Sequence, residues 1–187
     1  MRFEETAILD VFLVVPKRHG DARGYFMETF RQDYFEAAVG PHSFIQDNQS
    51  FSAEKGTIRG LHFQLEPKAQ GKLVRCVAGA LLDVAVDIRK GSPTFGHHVA
   101  VELTEENNHQ LWIPPGFAHG FCTLSPNTVI NYKVTEYYSA AEDRGLKWDD
   151  PVLGIKWPVD SASAILSDKD RKQPALDAMP DSFTYRK

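Results

Sequence analysis

Cysteine is scarce in this 187-residue chain; the two that occur, Cys76 and Cys122, each sit inside an apolar stretch. So few exclude a disulfide framework and read as buried free thiols. Long apolar runs are also lacking. The run Val11 to Val15 is too short for a secretory core, and nothing approaches the roughly 20 residues of a membrane helix. A cytoplasmic protein without membrane association is the expectation. Charge of one sign is missing too: 21 basic and 25 acidic residues leave a net −4. No broad field therefore draws in nucleic acid or an anionic membrane, and any anionic ligand needs a local basic cluster. Several catalytic signatures are absent. Gly71-Lys72 lacks the spaced glycine before it and the Ser/Thr after it that a phosphate loop requires. There is no Gly-x-Ser-x-Gly elbow and no strand–Gly-x-Gly-x-x-Gly–helix unit. Without repeats, low-complexity tracts or linkers, one domain over 1–187 is expected.

What is present is a series of short apolar or alternating runs. Candidate strands are 11–15, 24–30, 43–51, 57–65, 72–78, 81–88, 97–103, 109–113, 118–124 and 128–138. Gly79, Lys90-Gly91-Ser92-Pro93, Pro114-Pro115-Gly116 and Ser125-Pro126-Asn127 punctuate them. The one good helical pattern is 31–39, with a turn or two near 168–177. Many short strands and few helices argue for an antiparallel sandwich or small barrel.

Alternate side chains of a strand point to opposite faces. In 128–138 one face carries Ile130, Tyr132, Val134, Glu136 and Tyr138. In 57–65, Ile58, Gly60, His62 and Gln64 take one face, and Leu61, Phe63 and Leu65 the other. Residues 72–88 read as a hairpin turning near Gly79-Ala80. That pairing puts Lys72, Asp83 and Asp87 on one face, opposite Leu73, Val77, Val84, Val86 and Ile88. Small and charged residues beside a wall of aliphatics fit a lined cavity or a solvated outer face; parity alone leaves both open.

Seven histidines invite a metal, but a catalytic metal usually needs three protein ligands in a compact cluster. His62 is one imidazole, with Gln64 where a metal-binding barrel would place its second. His119, after the Pro114-Pro115-Gly116 turn, is another. His97 and His98 are adjacent and point apart, so at most one joins. The set is deficient, and acid–base chemistry remains. Singly, His62 reads as a core histidine, Tyr132 as packing, and Arg23, Arg59 and Lys72 as surface charges.

In combination the local wording is recognisable. Arg59-Gly60-Leu61-His62-Phe63-Gln64, Gln70-Gly71-Lys72-Leu73-Val74-Arg75 and Pro115-Gly116-Phe117-Ala118-His119-Gly120-Phe121 resemble the dTDP-4-dehydrorhamnose 3,5-epimerases. So do the block from Asp83 to Gly96, Tyr132-Lys133, Tyr137-Tyr138-Ser139 and Leu166-Ser167-Asp168-Lys169-Asp170. The match runs in order from about Asp10 to Pro174; one departure is Pro115, where the family usually has Glu. The resemblance implies an all-β, cupin-type antiparallel jelly roll (a double-stranded β-helix) with a few short helices. It also implies a homodimer that uses no metal or other cofactor. The implied substrate is a dTDP-linked 4-keto-6-deoxyhexose inverted at C3 and C5.

By the same resemblance His62 is the base, Asp170 the carboxylate that orients it, Tyr132 the opposite-face acid and Lys72 the cation near the enolate. Arg23, Glu28, Gln46, Asn48, Arg59, Lys72, His119, Asp143 and Lys169 match binding positions, and Tyr138 matches an aromatic stacking on thymine. Two points stay open. Either Asp83 or Asp87 supports Lys72. Arg59 and His62 differ in strand parity, so one bends around Gly60 or serves a neighbouring protomer. The alternatives are a mono-epimerase of another deoxysugar, a metal-dependent cupin enzyme with His62 and His119 as ligands, or a binder without turnover.

Overall fold

The computed structural model describes residues 1–179 and 182–185. Strands run over Arg2–Glu5 (β1), Phe12–Val15 (β2), Arg18–Asp21 (β3) and Gly24–Met27 (β4), before the helix Gln32–Val39 (α1). Then follow Gln46–Ser52 (β5), Ile58–Gln64 (β6), Lys72–Ala78 (β7), Ala80–Asp87 (β8), Arg89–Lys90 (β9) and His98–Thr104 (β10). Gln110–Ile113 (β11), Phe117–Thr123 (β12), Thr128–Val134 (β13), Asp143–Gly145 (β14) and Phe183–Thr184 (β15) complete the set. Two antiparallel sheets carry the fold, ordered β1-β2-β11-β7-β13-β5 and β10-β8-β12-β6-β14. From β6 to β13 the chain passes back and forth between them, which is the winding of a jelly roll.

This winding corrects the expected 72–88 hairpin. β7 pairs with β11 and β13, and β8 with β10 and β12, so the two strands lie in different sheets. At the crossing, Gly79 has φ +76°, and a Cβ there would sit 2.6 Å from Ser125 Oγ. Lys72 and Asp83 still share the interior, from facing sheets rather than from one face. Val74, Cys76, Leu81 and Ala85 fill the inter-sheet core, whereas Val84, Val86 and Ile88 lie on the outer face under Leu146, Leu153 and Leu176. Asp87 is engaged elsewhere: its carboxylate accepts bonds from Arg89, Ser92 and Thr94 and fixes the turn after β8.

The outer face of the six-stranded sheet is closed by α1. Its Phe35 is 1% exposed and meets the Trp112 ring edge-on at 4.9 Å, a burial worth about 1.5–3 kcal/mol. The expected strand 128–138 ends at Val134, because Thr135 turns to Gly71, whose amide donates to Thr135 Oγ1 at 2.8 Å. Glu136 and Tyr138 therefore leave the Tyr132 face. The strand expected over 24–30 stops at Met27 and pairs only with β3.

β6 holds the feature that positions the site. His62 pairs with His119, but Arg59 pairs with Phe121, so β6 carries one residue more than β12 in this span. The extra residue is a β-bulge, and it brings Arg59 and His62 to the same side. Leu61 and Phe63 face outward as expected; Ile58, expected beside His62, lines the same cavity as that histidine and also packs with Cys122 and Trp148. Gly60 at the bulge has φ +120°, and a Cβ would fall 2.5 Å from Gly120 Cα and 2.6 Å from the His119 carbonyl. Gly60→Ala should therefore lose about 2–3 kcal/mol of stability in urea unfolding. Gly154→Ala, at φ +60° with nothing within 4 Å, should lose only about 1 kcal/mol. Equal losses would remove the close backbone approach as the cause.

Candidate active site

The apolar core occupies part of the space between the sheets, and a cavity of about 450 Å³ occupies the rest. Arg59 and His62 from β6, Lys72 from β7, His119 from β12 and Tyr132 from β13 line it, with Ser167 and Asp170 closing one side. A second lobe of about 440 Å³ shares His62, Lys72 and Tyr132 and adds Gln46, Asn48, Tyr138, Asp143 and Lys169. Three of the four residues matched to catalysis thus stand where the lobes meet, and Asp170 stands behind His62.

His62 Nε2 lies 2.5 Å from Asp170 Oδ1. The carboxylate is nearly buried, and Ser167 Oγ donates to its other oxygen at 2.8 Å. Burial pushes the Asp170 carboxyl up, but the bonds from His62 and Ser167 and the nearby Lys169 outweigh it and hold it below the usual range. An ionised carboxylate only accepts, so Nε2 carries the imidazole proton. Nδ1 is then the nitrogen free to take another.

Burial pushes the Lys72 ammonium down to about 8, against the opposing charges of Asp83 and Asp143. Its Nζ donates to the His62 carbonyl at 3.3 Å. Between the two candidates for its support, Asp83 acts on Lys72. Burial raises the Tyr132 phenol above its ordinary value, only partly offset by Arg59, so it stays protonated at neutral pH. His119 Nε2 lies 2.7 Å from Asp83 Oδ1, and burial holds this imidazole below its usual value despite that carboxylate.

In the second lobe, the Tyr138 hydroxyl donates to Asp143 Oδ2 at 3.1 Å, and the Lys169 ammonium bonds the same oxygen. The exposed Tyr138 ring comes from a loop, not from the strand that parity suggested. Gln64 explains how that loop is held: its amide donates to the Lys68 and Tyr137 carbonyls and accepts from the Ser139 amide. These bonds commit Gln64 to the backbone, away from any metal. Among the described residues no three of His, Cys, Asp and Glu gather as a metal site.

Arg23 and Glu28 line neither lobe. Arg23 pairs with Asp21 at the tip of the β3–β4 hairpin, its side chain 90% exposed, and Glu28 lies 3.6 Å from Arg31. Tyr25 and Phe26 on the hairpin are exposed as well.

A family model described as dTDP-4-dehydrorhamnose 3,5-epimerase matches residues 5–178. A 3,5-epimerase of Sinorhizobium fredii is 58% identical over 187 residues, covering 100% of this chain and 95% of that one. The Legionella pneumophila enzyme, solved with dTDP-4-keto-L-rhamnose, superposes with a TM-score of 0.94 at 42% identity, covering 100% and 99%. That of Bacillus anthracis, solved with TDP and PPi, gives 0.90 at 52%, covering 93% and 98%. The chain belongs to the dTDP-4-dehydrorhamnose 3,5-epimerase family.

Two residues of this epimerase escaped the sequence reading as site residues. Ser167 was visible only as part of a motif, although Ser-x-x-Asp is a spacing at which a hydroxyl can reach the carboxylate; here its Oγ also accepts from the Asp170 amide at 3.1 Å. Gln64 was weighed only as a missing metal ligand. Asp170→Asn should lower kcat by roughly 10²- to 10⁴-fold, with thymidine diphosphate affinity kept. Ser167→Ala removes one bond to the carboxylate and should cost roughly tenfold. Wild-type kcat in Asp170→Asn, measured by coupled turnover, would remove the His62–Asp170 pair from catalysis.

Proposed function

We propose that His62 is the base that serves both C3 and C5, and that Tyr132 is the acid on the opposite face. The chain is a metal-independent isomerase of dTDP-rhamnose biosynthesis. It epimerises dTDP-4-dehydro-6-deoxy-D-glucose at C3 and C5 to dTDP-4-dehydro-L-rhamnose. The C4 ketone makes the flanking C–H bonds acidic, because the electron pair left behind delocalises onto the carbonyl oxygen. His62 Nδ1 takes the proton, and Lys72 stabilises the enolate oxygen. Tyr132 then protonates the carbon from the other side. A proton leaves, a proton returns and no electron is gained or lost, so no redox partner enters the balance. The observation carrying this reading is the 2.5 Å His62–Asp170 contact beside a cavity that Lys72 and Tyr132 also line.

The second lobe takes the nucleotide, with the Tyr138 ring on the thymine and Gln46, Asn48, Asp143 and Lys169 around it. Arg59 and His119 contact the substrate from the first lobe. A guanidinium matches the forked acceptors of a diphosphate. We place Arg23 and Glu28 at the active site of a second copy in a homodimer. The support is the hairpin with exposed Tyr25 and Phe26, whose Arg23, like Glu28 after it, lines neither lobe of its own chain. Residues 1–187 act as one domain. A cytoplasmic location accords with two buried free cysteines; among the described residues no helix is long and apolar enough to cross a membrane. No nucleic acid or membrane partner is assigned.

Incubation with the 4-keto sugar nucleotide in deuterated water should label both C3 and C5 without added metal or nicotinamide. His62→Ala should stop exchange and turnover together. Tyr132→Phe should retain exchange while inversion drops by roughly 10²- to 10⁴-fold. Label at one carbon would make this a mono-epimerase, and equal loss of exchange and inversion in Tyr132→Phe would overturn the division of roles.

Sedimentation should give about twice 21.0 kDa. A stable monomer at micromolar concentration would remove the shared site.

A further inference from the structure

The side chain that no step above uses is Asp83. It lies on β8 behind His119, fully buried. One oxygen accepts from His119 Nε2 at 2.7 Å; the other has no hydrogen-bond partner among the described residues. An orphaned buried carboxylate oxygen is costly and calls for a compensating positive charge.

We propose that Asp83, without touching substrate, is a positioning residue of this epimerase: it fixes His119 as a hydrogen-bond acceptor toward the sugar and keeps Lys72 cationic beside the C4 oxygen. The proposal rests on the reaction assigned above.

The His119 half follows from the bonding. A carboxylate donates nothing, so the proton between the two groups is on Nε2. Burial disfavours a second proton on the ring. Nδ1 is then the only polar atom His119 can offer a ligand, and it is a lone pair. This side chain accepts a hydroxyl hydrogen and gives nothing to an oxyanion.

The Lys72 half follows from the facing sheets. Lys72 enters the interior from β7 and Asp83 from β8. Of the charges around this ammonium, Asp83 acts first to keep it protonated, ahead of Asp143, and Lys169 opposes both. The imidazoles of His62 and His119 line the same cavity. The hydrogen bond of Lys72 Nζ to the His62 carbonyl is long at 3.3 Å. Charge rather than contact therefore holds the cation.

The test is Asp83→Asn, which keeps shape and an acceptor but removes the charge. Reductive methylation of Lys72 across pH, read by mass spectrometry on ligand-free protein, should have its midpoint near the wild-type value of about 8. In the variant it should fall by about one unit or more. Activity needs protonated Lys72 and so declines as pH rises through its pKa; losing Asp83 moves that basic limb of kcat to lower pH. Unchanged midpoint and limb, with kcat reduced evenly at every pH, would reduce Asp83 to packing and overturn the proposal. Should the variant not fold, nitrogen-15 spectra of histidine-labelled wild type decide the tautomer. Neutral His119 with its proton on Nε2 is expected between pH 6.5 and 8, and an imidazolium or an Nδ1–H form would overturn it. Methylation and tautomer are read without turnover, so they stand apart from any failure of the assigned reaction.

Discussion

Gly60 and Gly120 meet backbone to backbone, and the active-site wall depends on that contact. A Cβ on Gly60 would lie 2.5 Å from Gly120 Cα, and one on Gly120 would lie 2.8 Å from the Arg59 carbonyl. With both side chains reduced to hydrogen, β6 absorbs one extra residue against β12. Regular pleating would have turned Arg59 away from His62. The bulge puts both on the cavity side while Leu61 and Phe63 keep their places in the outer apolar cluster. An imidazole and a guanidinium three residues apart thus line one cavity without disturbing the packing behind them.

The same wall explains how so many ionisable groups are tolerated between two sheets. Most of the carboxylates here are held by named hydrogen bonds: Asp170 by His62 and Ser167, Asp143 by Lys169 and Tyr138, and one oxygen of Asp83 by His119. Paired and hydrogen-bonded charges avoid most of the cost of leaving water. Lys72 is the exception, since its hydrogen bond goes to a carbonyl and its opposing charges act at a distance. It is also the group a substrate oxyanion would complete. A cation left partly uncompensated in the free protein has more to gain when negative charge develops beside it, which is where transition-state stabilisation comes from.

Much of this was legible in the chain, and the failures have physical causes. β7 begins and ends where alternation and turn residues placed it, because Gly71 and Gly79 bound it on both sides. Strand partners were less legible. Residues 72–88 read as a hairpin because a glycine joins two apolar runs, but each run buries both faces, so periodicity carries no record of which sheet receives it. β14 was missed because Asp-Arg-Gly has no strand propensity; it is strand only by pairing with the edge of β6. β3 is polar and exposed throughout, and only its pairing with β4 makes it a strand. Of the site, parity separated His62 from Leu61 and Phe63, and Tyr132 from Lys133. It could not reveal the Gly60 bulge, nor that Tyr138 belongs to a loop pinned by Gln64. Function was readable sooner than geometry because motif wording survives where pairing information does not.

Burial acts in opposite senses on the groups around the cavity, and the combination suits proton transfer at carbon. It lowers Lys72 and His119 and raises Tyr132. The phenol is therefore held protonated, able to give a proton to a carbanion but reluctant to lose it to water. The imidazole of His119 is pushed toward its neutral form. Asp170, pulled the other way by its hydrogen bonds from His62 and Ser167, remains an anion that accepts from His62 Nε2. These differences arise from which neighbours each side chain meets in the space between the two sheets.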